Sequence, residues 1–359
     1  MLAATPDFTR LDGGMAPEDD YALAEPPPGT VGYGENQAFW FFDKDGKVSS
    51  YNHLDAIQDY FQLRTERHWL ALNDGRVLYN YTDGWRSTPK KPSGANMEFE
   101  CLEPFRHWRL DYTGTMRISS AEELLRGRPV EGPRAIVRFH IDVEMAAPPW
   151  QQGKHSAASA EAIKGDSGRF IGGERYEQLH RMKGWVKIDN EHMDIEGIGV
   201  RTHRRGTRDM ARWHGHVWQT AIFPSGRGFG LDVMPSDDTR AGRSTPVFNE
   251  GYVIENGRMY PAEVLECVWL DDYSRTGTKG RVRLRSELGE ASIDCEVTAT
   301  VWRTIHTDPA QGRYLRGFGV WGDPGDYPMN QGAARYTWDG ETVLGHIERS
   351  TALTQLPAR

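Results

Sequence analysis

The sequence has no long hydrophobic run and no excess of positive charge. No segment reaches the roughly 18 consecutive apolar residues of a membrane-spanning helix, and the opening stretch MLAATPDFTRLDGGMAPEDD lacks a basic part followed by an apolar part. The 43 Lys and Arg against 51 Asp and Glu give a net charge of −8, which disfavours nucleic acid or an anionic membrane as the main partner. We therefore expect a cytoplasmic protein without a membrane span.

Paired cysteines and the common nucleotide and catalytic motifs are also missing. Cys101, Cys267 and Cys295 are far apart and show no CxxC spacing, so we expect reduced thiols in the core. The sequence contains no GxGxxG that follows a strand and opens a helix, no GxxxxGK[ST], no HExxH and no GxSxG. Nucleotide-dependent redox chemistry, phosphoryl transfer and triad hydrolysis therefore have no support, and we expect no cofactor.

Aromatic residues and short β-type segments dominate what is present. The chain has 12 Trp, 14 Tyr and 13 Phe, which can fill a large core and line a site for an apolar ligand. Short segments rich in β-branched and aromatic residues recur between turn signals, as in all-β sandwiches and barrels. The clearest strand is Val137–Met145, whose five apolar side chains share one face. Only Ser119–Leu125 and Ser156–Lys164 are predicted to be helical.

The length of the chain predicts two domains. At 359 residues it exceeds the roughly 250–300 residues at which a single hydrophobic core stops growing. Residues 1–30 are acidic, contain Gly and Pro and end in EPPPG, which indicates a flexible arm. We assign the first β domain to residues 31–150 and the second to residues 165–350. The sequence leaves open whether the chain forms a homodimer.

The run Gly197–Trp218, GIGVRTHRRGTRDMARWHGHVW, resembles the central signature of the hydroxyneurosporene synthase (carotenoid 1,2-hydratase) and AttH-like superfamily. Similar stretches at Glu35–Asp43, Tyr176–Gln178 and Gly332–Arg349 extend the resemblance over nearly the whole folded chain. It implies an all-β fold of two lipocalin-like (calycin-type) antiparallel barrel or sandwich lobes packed together, with few short helices. The matching residues are His203, Gly206, Arg208, Asp209, Trp213, Trp218, Trp338, Gly345 and Glu348.

The sequence departs from the pattern of that superfamily at one informative place. The usual run is Asp-His-Ser-Trp-Gly, whereas this chain has THRRG at Thr202–Gly206. The carboxylate before the histidine is therefore absent, and an alkene hydration driven by that carboxylate does not carry over to this chain.

The densest group of polar residues lies in the same run, directly before the apolar strand Val217–Phe223. An extended strand would place His214, His216 and Trp218 on one face and Trp213 on the other. Two imidazoles on one face could act as acid and base, because imidazole titrates near neutral pH. The candidate catalytic residues are His203, Arg208, Asp209, His214, His216 and, from a second polar group at Tyr176–His180, Tyr176.

Two other interpretations of this cluster stay open. His216 could be a hydrogen-bonded core residue, with the arginines forming a solvent-exposed rim paired with Asp209. The His-x-His spacing of His214 and His216 also suits a metal, with His203 or Asp209 as a third ligand. Because no further ligand motif supports a metal, we assign none.

Residues elsewhere in the chain are candidates for substrate binding. Glu177 could donate a proton in an apolar environment, or could simply pair with an arginine. Alternation places His346 and Glu348 on one face of the last strand, where Glu348 is either half of an acid–base pair or an edge charge. Trp40 and Trp69 could stack on a ligand or belong to the core. The full set is Trp40, Trp69, Glu177, Trp213, Trp218, Asn330, Tyr336 and Glu348.

These patterns favour a cofactor-independent lyase acting on a hydrophobic or aromatic hydroxylated small molecule. Hydration, dehydration or retro-aldol cleavage, such as formaldehyde release from a phenylpropanoid, needs only a placed acid, a placed base and a dry pocket. In this scheme His203 or His216 takes the proton, Asp209 orients the imidazole, and Arg208 or Tyr176 stabilises the developing oxygen charge. The alternatives are a non-catalytic carrier of a hydrophobic compound, and a cyclase or isomerase using the same pocket. A carrier gains little from buried charge, so burial of the polar cluster distinguishes the two classes.

Overall fold

The structure, a computed structural model, separates into two compact units. Unit 1 comprises Met1–Ile118, Gly132–Gln152 and Gly172–Arg208, and unit 2 comprises Ser119–Glu131, Gly153–Ile171 and Asp209–Arg359. Each unit contains one antiparallel sheet. The residues that the structure describes are 6–57, 60–85, 88–126, 132–164, 173–208, 213–235, 246–273, 276–305, 315–318 and 327–357.

The strands of unit 1 are β1 (Tyr33–Asp43), β2 (Val48–Ile57), β3 (Tyr60–Leu72), β4 (Arg76–Trp85), β5 (Met97–Glu103), β6 (His107–Ser120), β7 (Arg134–Met145), β8 (Trp150–Gln151), β9 (Glu174–Ile188) and β10 (Glu191–Thr207). They run in the order β10-β1-β2-β3-β4-β6-β7-β9-β8, and β10 also pairs with β9. This additional pairing closes the sheet into a barrel, with β5 attached to β6 and β8 to β9.

Apolar side chains fill the interior of the first barrel. On β7 every second residue points inward, which confirms the alternation predicted for this strand. Aromatic rings pack at close range in this core: the centroids of Phe39 and Phe99 are 4.8 Å apart, and Tyr112 stacks on Phe139 at 5.3 Å. Large rings at these distances occupy the space that a hollow barrel would offer to a ligand. The buried side chains of β7 are Ala135, Val137, Phe139, Ile141, Val143 and Met145.

The strands of unit 2 are β11 (His216–Ile222), β12 (Gly228–Met234), β13 (Phe248–Glu255), β14 (Arg258–Glu266), β15 (Lys279–Ser286), β16 (Gly289–Ile305), β17 (Leu315–Phe318), β18 (Tyr327–Trp338) and β19 (Glu341–Ser350). Their order is β15-β14-β13-β12-β11-β19-β18-β16-β17. Pairing of β15 with β16 closes this sheet as well. The expected all-β architecture with two β units is therefore confirmed.

Turns and helices follow the local signals of the sequence. The hairpin between β13 and β14 turns at Asn256 and Gly257, whose φ angles of 51° and 75° belong to the left-handed region that this residue pair tolerates. The predicted helices are α1 (Ala121–Leu125), capped by Ser120, and α2 (Ala157–Lys164), both in unit 2. Within the described ranges, no helix is long and apolar enough to cross a membrane.

The division of the chain between the units differs from the expected boundary at residues 150–165. β9 and β10 belong to the first barrel, because the 11 residues of β1 pair along their whole length with β10. In addition, α1 belongs to unit 2, although the chain before and after it belongs to unit 1. A boundary drawn from a Pro-rich connection cannot detect a strand that returns from a distance to close a barrel.

Residues 6–30 also differ from the flexible arm that composition suggested. Asp20 and Ala22 are buried, and the backbone N–H of Ala22 donates to the carbonyl of Pro89 at 2.9 Å. The segment thus packs on the first barrel. The physical reason is a small number of specific contacts, above all those of the buried Asp20, which a composition average does not reveal.

Candidate functional site

The polar run predicted to form one cluster is divided between the two units. His203 lies on β10 and points into the first barrel, whereas His216 begins β11 of the second. Arg208, directly after β10, and His214, two residues before β11, are half-buried and lie outside the strands. Asp209 lies outside the described residues. Two separate polar groups must therefore be considered in place of one.

The first group, which we call the inner network, consists of Asp20, Glu35, Tyr176, Arg201 and His203 inside the first barrel. His203 Nε2 is 2.9 Å from a carboxylate oxygen of Glu35, and its Nδ1 is 3.2 Å from the hydroxyl of Tyr176. That hydroxyl donates to Asp20 at 2.7 Å, and Arg201 pairs with Asp20 at 2.6 Å. Strand register explains the grouping, because Tyr176 on β9 and Gln37 on β1 are the cross-strand partners of His203.

The charges of the inner network are mutually satisfied. Burial lowers the pKa of His203, and the neighbouring Arg205 lowers it further, so this imidazole is neutral. Burial alone would raise the pKa of Asp20, but the charge of Arg201 holds it below its usual value. The same opposition acts on Glu35, where the hydrogen bond from His203 lowers the pKa. Each carboxylate is ionised and paired, which is the arrangement of a structural network.

The second group, which we call the outer cluster, consists of His216, Trp218, Gln331, Glu348 and Ser350 on the outer face of the second barrel. The register of three neighbouring strands brings them together: Trp218 lies opposite Glu348, and His216 lies opposite Ser350. Gln331 on β18 is the partner of Glu348 on its other side. His216 and Glu348 are only 5% and 7% exposed. The pairing of His346 and Glu348 on one face, predicted from alternation, agrees with this register.

Hydrogen bonds link the outer cluster into one chain. The Nε2 of His216 is 2.8 Å from a carboxylate oxygen of Glu348, and its Nδ1 is 2.8 Å from the hydroxyl of Ser350. Gln331 donates to the other carboxylate oxygen of Glu348 and accepts from Arg303 at 2.9 Å. The imidazole is thus held between a hydroxyl and a carboxylate, the arrangement in which a histidine moves a proton.

Two glutamates on this outer face have opposite pKa shifts. Burial would raise the pKa of Glu348, but the hydrogen bond from His216 and the electrostatic attraction between the two groups lower it to about 2. Burial raises the pKa of Glu250 to about 7, although backbone N–H groups of Gly153 and His155 donate to it. At neutral pH Glu348 is therefore a carboxylate, whereas Glu250 is close to half protonated.

The two glutamates belong to one row across the sheet. Glu348 on β19, Trp218 on β11, Asp232 on β12 and Glu250 on β13 are successive cross-strand partners. Directly opposed residues have Cβ atoms about 5 Å apart, so the indole of Trp218 separates two acidic positions on a single face.

Two indoles pack against the histidines of this face. The ring of Trp213 is 4.7 Å from that of His216, and the ring of Trp218 is 4.2 Å from that of His346. The sequence predicted that the side chains of Trp213 and His216 point to opposite faces, because we assumed that one strand contains both residues. The strand begins only at His216, and Gly215 with φ of 100° turns the chain before it.

Other predicted residues lie elsewhere. Asn330 accepts a hydrogen bond from Arg349 at 2.9 Å, and Tyr336 donates to the carbonyl of His346 at 2.7 Å; both are buried on the β18 face opposite the one that carries Gln331. Glu177 is buried beside Arg175 at 3.3 Å. The contact of Glu177 is the arginine pairing that the sequence left open as its alternative role.

Trp40 and Trp69 belong to an aromatic row on the first barrel. Trp40, Tyr51, Trp69 and Tyr79 are successive cross-strand partners on β1 to β4, and all are buried. The centroids of Trp40 and Tyr51 are 4.9 Å apart, and Tyr51 stacks on Trp69 at 6.2 Å. The row faces away from the apolar core residues Phe39 and Phe41, since successive residues of a strand alternate.

Sequence reasoning missed Ser350 and Gln331 of the outer cluster and their neighbours Arg303 and Glu250. These residues come from strands far from His216 in the chain, and only the strand register brings them together. Their types alone gave no signal, because isolated polar residues on β-strands are common. Among the described residues, no group of three or more His, Cys, Asp and Glu is arranged to hold a metal ion.

Solved structures share this fold at low sequence identity. An AttH-type protein from Nitrosomonas europaea is 12% identical, with a TM-score of 0.52 over 92% of this chain and 100% of that one. Kievitone hydratase from Nectria haematococca is 11% identical, with a TM-score of 0.48 over 98% of both chains. CghA, solved with Sch210972, is 10% identical, with a TM-score of 0.49 over 94% of this chain and 95% of that one.

These comparisons identify the fold and the family. The likeness to the AttH-type structure confirms the expected tandem lipocalin-like fold. No curated protein matches the sequence. A family model described as a domain of unknown function, DUF7064, matches residues 16–352, and the chain therefore belongs to this family.

Proposed function

We propose that the protein is a cofactor-independent lyase of the hydratase, dehydratase or carbon–carbon lyase type, with the outer cluster as its acid–base site. The observation that carries this proposal is the buried pair of His216 and Glu348, joined at 2.8 Å beside two indoles. Burying such a pair costs free energy that simple apolar packing would avoid, so a site that retains it is a candidate for chemistry.

The roles follow from the hydrogen bonds. A substrate hydroxyl or acidic C–H gives its proton to Nδ1 of His216, directly in the place of Ser350 or through the Ser350 hydroxyl. Glu348 fixes the imidazole through Nε2 and stabilises the imidazolium that forms. Gln331, held by Arg303, keeps the Glu348 carboxylate in position.

A second titratable group, Glu250, is suited to return a proton to the substrate. Addition or loss of water requires one group that takes a proton and another that gives one. Glu250, with its pKa raised to about 7, can give a proton at neutral pH, and Trp218 and Asp232 separate it from Glu348 along the row. In the proposed site the base, His216, is bonded to Glu348 at one end of this row, and the acid, Glu250, lies at the other end.

The substrate class follows from the surroundings of the pair. Trp213 and Trp218 offer flat apolar surfaces, which suit an aromatic or other hydrophobic body carrying a hydroxyl group. A carrier function has less support. The interior of the first barrel, where a lipocalin-like carrier would bind its ligand, is packed with rings such as Trp108 and Phe139, and a carrier has no use for the buried charges of the outer cluster.

The test is turnover by metal-stripped protein of hydroxylated phenylpropanoids, terpenoids and unsaturated lipids, followed by mass spectrometry for gain or loss of water or formaldehyde. We expect one class to turn over, and His216→Ala to reduce the rate by roughly 10²–10⁴-fold, the usual contribution of a general acid–base group.

The matched control is His140→Ala. His140 also contacts a carboxylate, Asp111 at 2.7 Å, but its side chain is 34% exposed on the first barrel. Its loss should leave the rate unchanged. Saturable binding of one compound class with unchanged mass, equal in wild type and both variants, would establish a carrier and reject the catalytic assignment.

A further inference from the structure

The segment before β1 inserts its side chains into one mouth of the first barrel. We call residues Leu11–Leu23 the plug segment. The carbonyl of Leu11 accepts from Gln178 at 2.7 Å, and the backbone N–H of Leu23 donates to Glu35 at 2.9 Å. Between these two anchors, Met15 and Asp20 are 5% and 0% exposed. The plug segment is thus not part of the sheet, and hydrogen bonds to the strands of the first barrel hold it in place.

The barrel surrounds the carboxylate of Asp20 with donors. One oxygen accepts from the Tyr176 hydroxyl at 2.7 Å and pairs with Arg201 at 2.6 Å. The other accepts from the backbone N–H of Phe105 at 2.6 Å and from the indole of Trp108 at 3.0 Å. Four nitrogen and oxygen donors converge on one carboxylate, the thiol of Cys101 adds a fifth at 3.9 Å, and none of them belongs to the plug segment. This is the donor set of a carboxylate-binding site.

Apolar groups complete the site beside the carboxylate. Met15 packs with Phe105 and Tyr176 in a small apolar cluster. The guanidinium of Arg201 lies over the rings of Phe105, Trp108 and Tyr176 at 5.7, 5.4 and 5.4 Å. The plug segment therefore supplies one carboxylate and one apolar side chain to a mouth lined by a cation and aromatic rings.

We propose that the mouth of the first barrel is a binding site for a carboxylate with a small apolar body, and that Asp20 and Met15 occupy it as an intramolecular ligand. An external carboxylic acid of this class competes with the plug segment for the same donors. A buried Arg201 without an anion is costly, so the site is filled by one or the other. All of these groups lie in unit 1, so the inference is independent of the proposed function.

The experiment is chemical rescue of Asp20→Ala in the full-length chain. Removal of the carboxylate leaves Arg201 and Tyr176 without their anion, so the melting temperature of unit 1 should fall. Sodium acetate or sodium phenylacetate should restore it, by about 3–6 °C for each tenfold increase in concentration above the dissociation constant. Sodium chloride of equal ionic strength and neutral phenylacetamide should not.

Two comparisons make the result specific. Wild type should show no carboxylate-dependent rise, because its site is filled. Asp19→Ala, which removes a neighbouring carboxylate that is 4.0 Å from Arg205 and 25% exposed, should show none either. An equal response in all three proteins, no response in Asp20→Ala, or an Asp20→Ala chain that stays unfolded in acetate and chloride alike would each overturn the proposal.

Discussion

His203 and His216 each lie within hydrogen-bonding distance of a buried glutamate, at 2.9 and 2.8 Å, yet their surroundings differ. His203 is enclosed in the first barrel, where Tyr176, Asp20 and Arg201 complete a closed set of charges. His216 lies on an outer sheet face, between a hydroxyl and a carboxylate and next to indoles. A His–Glu distance therefore does not identify a catalytic pair. The two pairs differ in the other partners of each histidine and glutamate. These partners determine whether the histidine can gain or lose a proton without leaving a buried charge unpaired.

The most direct test of the difference between the two histidines is to remove the charge of the glutamate in each His–Glu pair. Glu348→Gln should reduce turnover by roughly 10²–10⁴-fold, because His216 then loses the group that stabilises its charged form, while the fold persists. Glu35→Gln should instead lower the melting temperature and leave the rate of the folded protein near that of wild type. Rate and thermal unfolding measured on the same samples check both, and a fast Glu348→Gln enzyme would remove the outer cluster from the mechanism.

Replacement of Arg201 should have the next largest effect, and on stability alone. Arg201→Met leaves the carboxylate of Asp20 buried without its cation, which should reduce the free energy of unfolding by about 3–5 kcal/mol. Urea denaturation followed by tryptophan fluorescence measures this loss. The double variant Arg201→Met, Asp20→Ala should recover part of it, whereas additive losses would show that the two side chains do not interact.

The pH dependence of stability distinguishes the two glutamates of the outer face. Glu250 changes from a pKa of 4.5 in the unfolded chain to about 7 in the folded protein, so the folded state binds the proton more tightly between these values. Its contribution to stability is therefore complete below about pH 4.5 and is lost as the pH rises through 7, a change of about 3 kcal/mol.

Glu250→Gln should remove this decline, so the variant should gain stability relative to wild type from pH 5 to pH 8 in urea titrations. The matched control is Glu348, whose pKa is shifted the other way, to about 2. Its stabilising contribution is present above pH 4.5 and is lost only as the pH falls through 2. Parallel curves for Glu250→Gln and wild type would contradict the raised pKa.

Local features of the fold could be predicted from the sequence, whereas its closure could not. The alternation of Val137–Met145, the Asn256–Gly257 turn and the Ser120 cap each depend on neighbouring residues, and the structure contains all three. The pairing of β1 with β10 depends on a register between distant segments, and no local pattern encodes it.

The candidate site shows the same limit. Strand alternation placed His216 and Trp218 on one face and marked Glu348 as a candidate on the last strand. Their contact with Glu348 follows only from the neighbouring positions of β11 and β19 in the sheet. The same run placed His203 and His216 in one polar cluster, with either of them as the candidate base. The chain passes from one unit to the other between them, which a sequence pattern does not show.

The closure of the first barrel by β1 and β10 has a consequence for synthesis. Tyr33 pairs with Thr207, so the ring cannot form until more than half of the chain has left the ribosome. Until then the edges of β1 and of its neighbours are unpaired and can join other chains. Contacts of such long sequence separation also slow folding. Aggregation of nascent chains that have not yet exposed β10 should therefore be greatest just before residue 207 emerges.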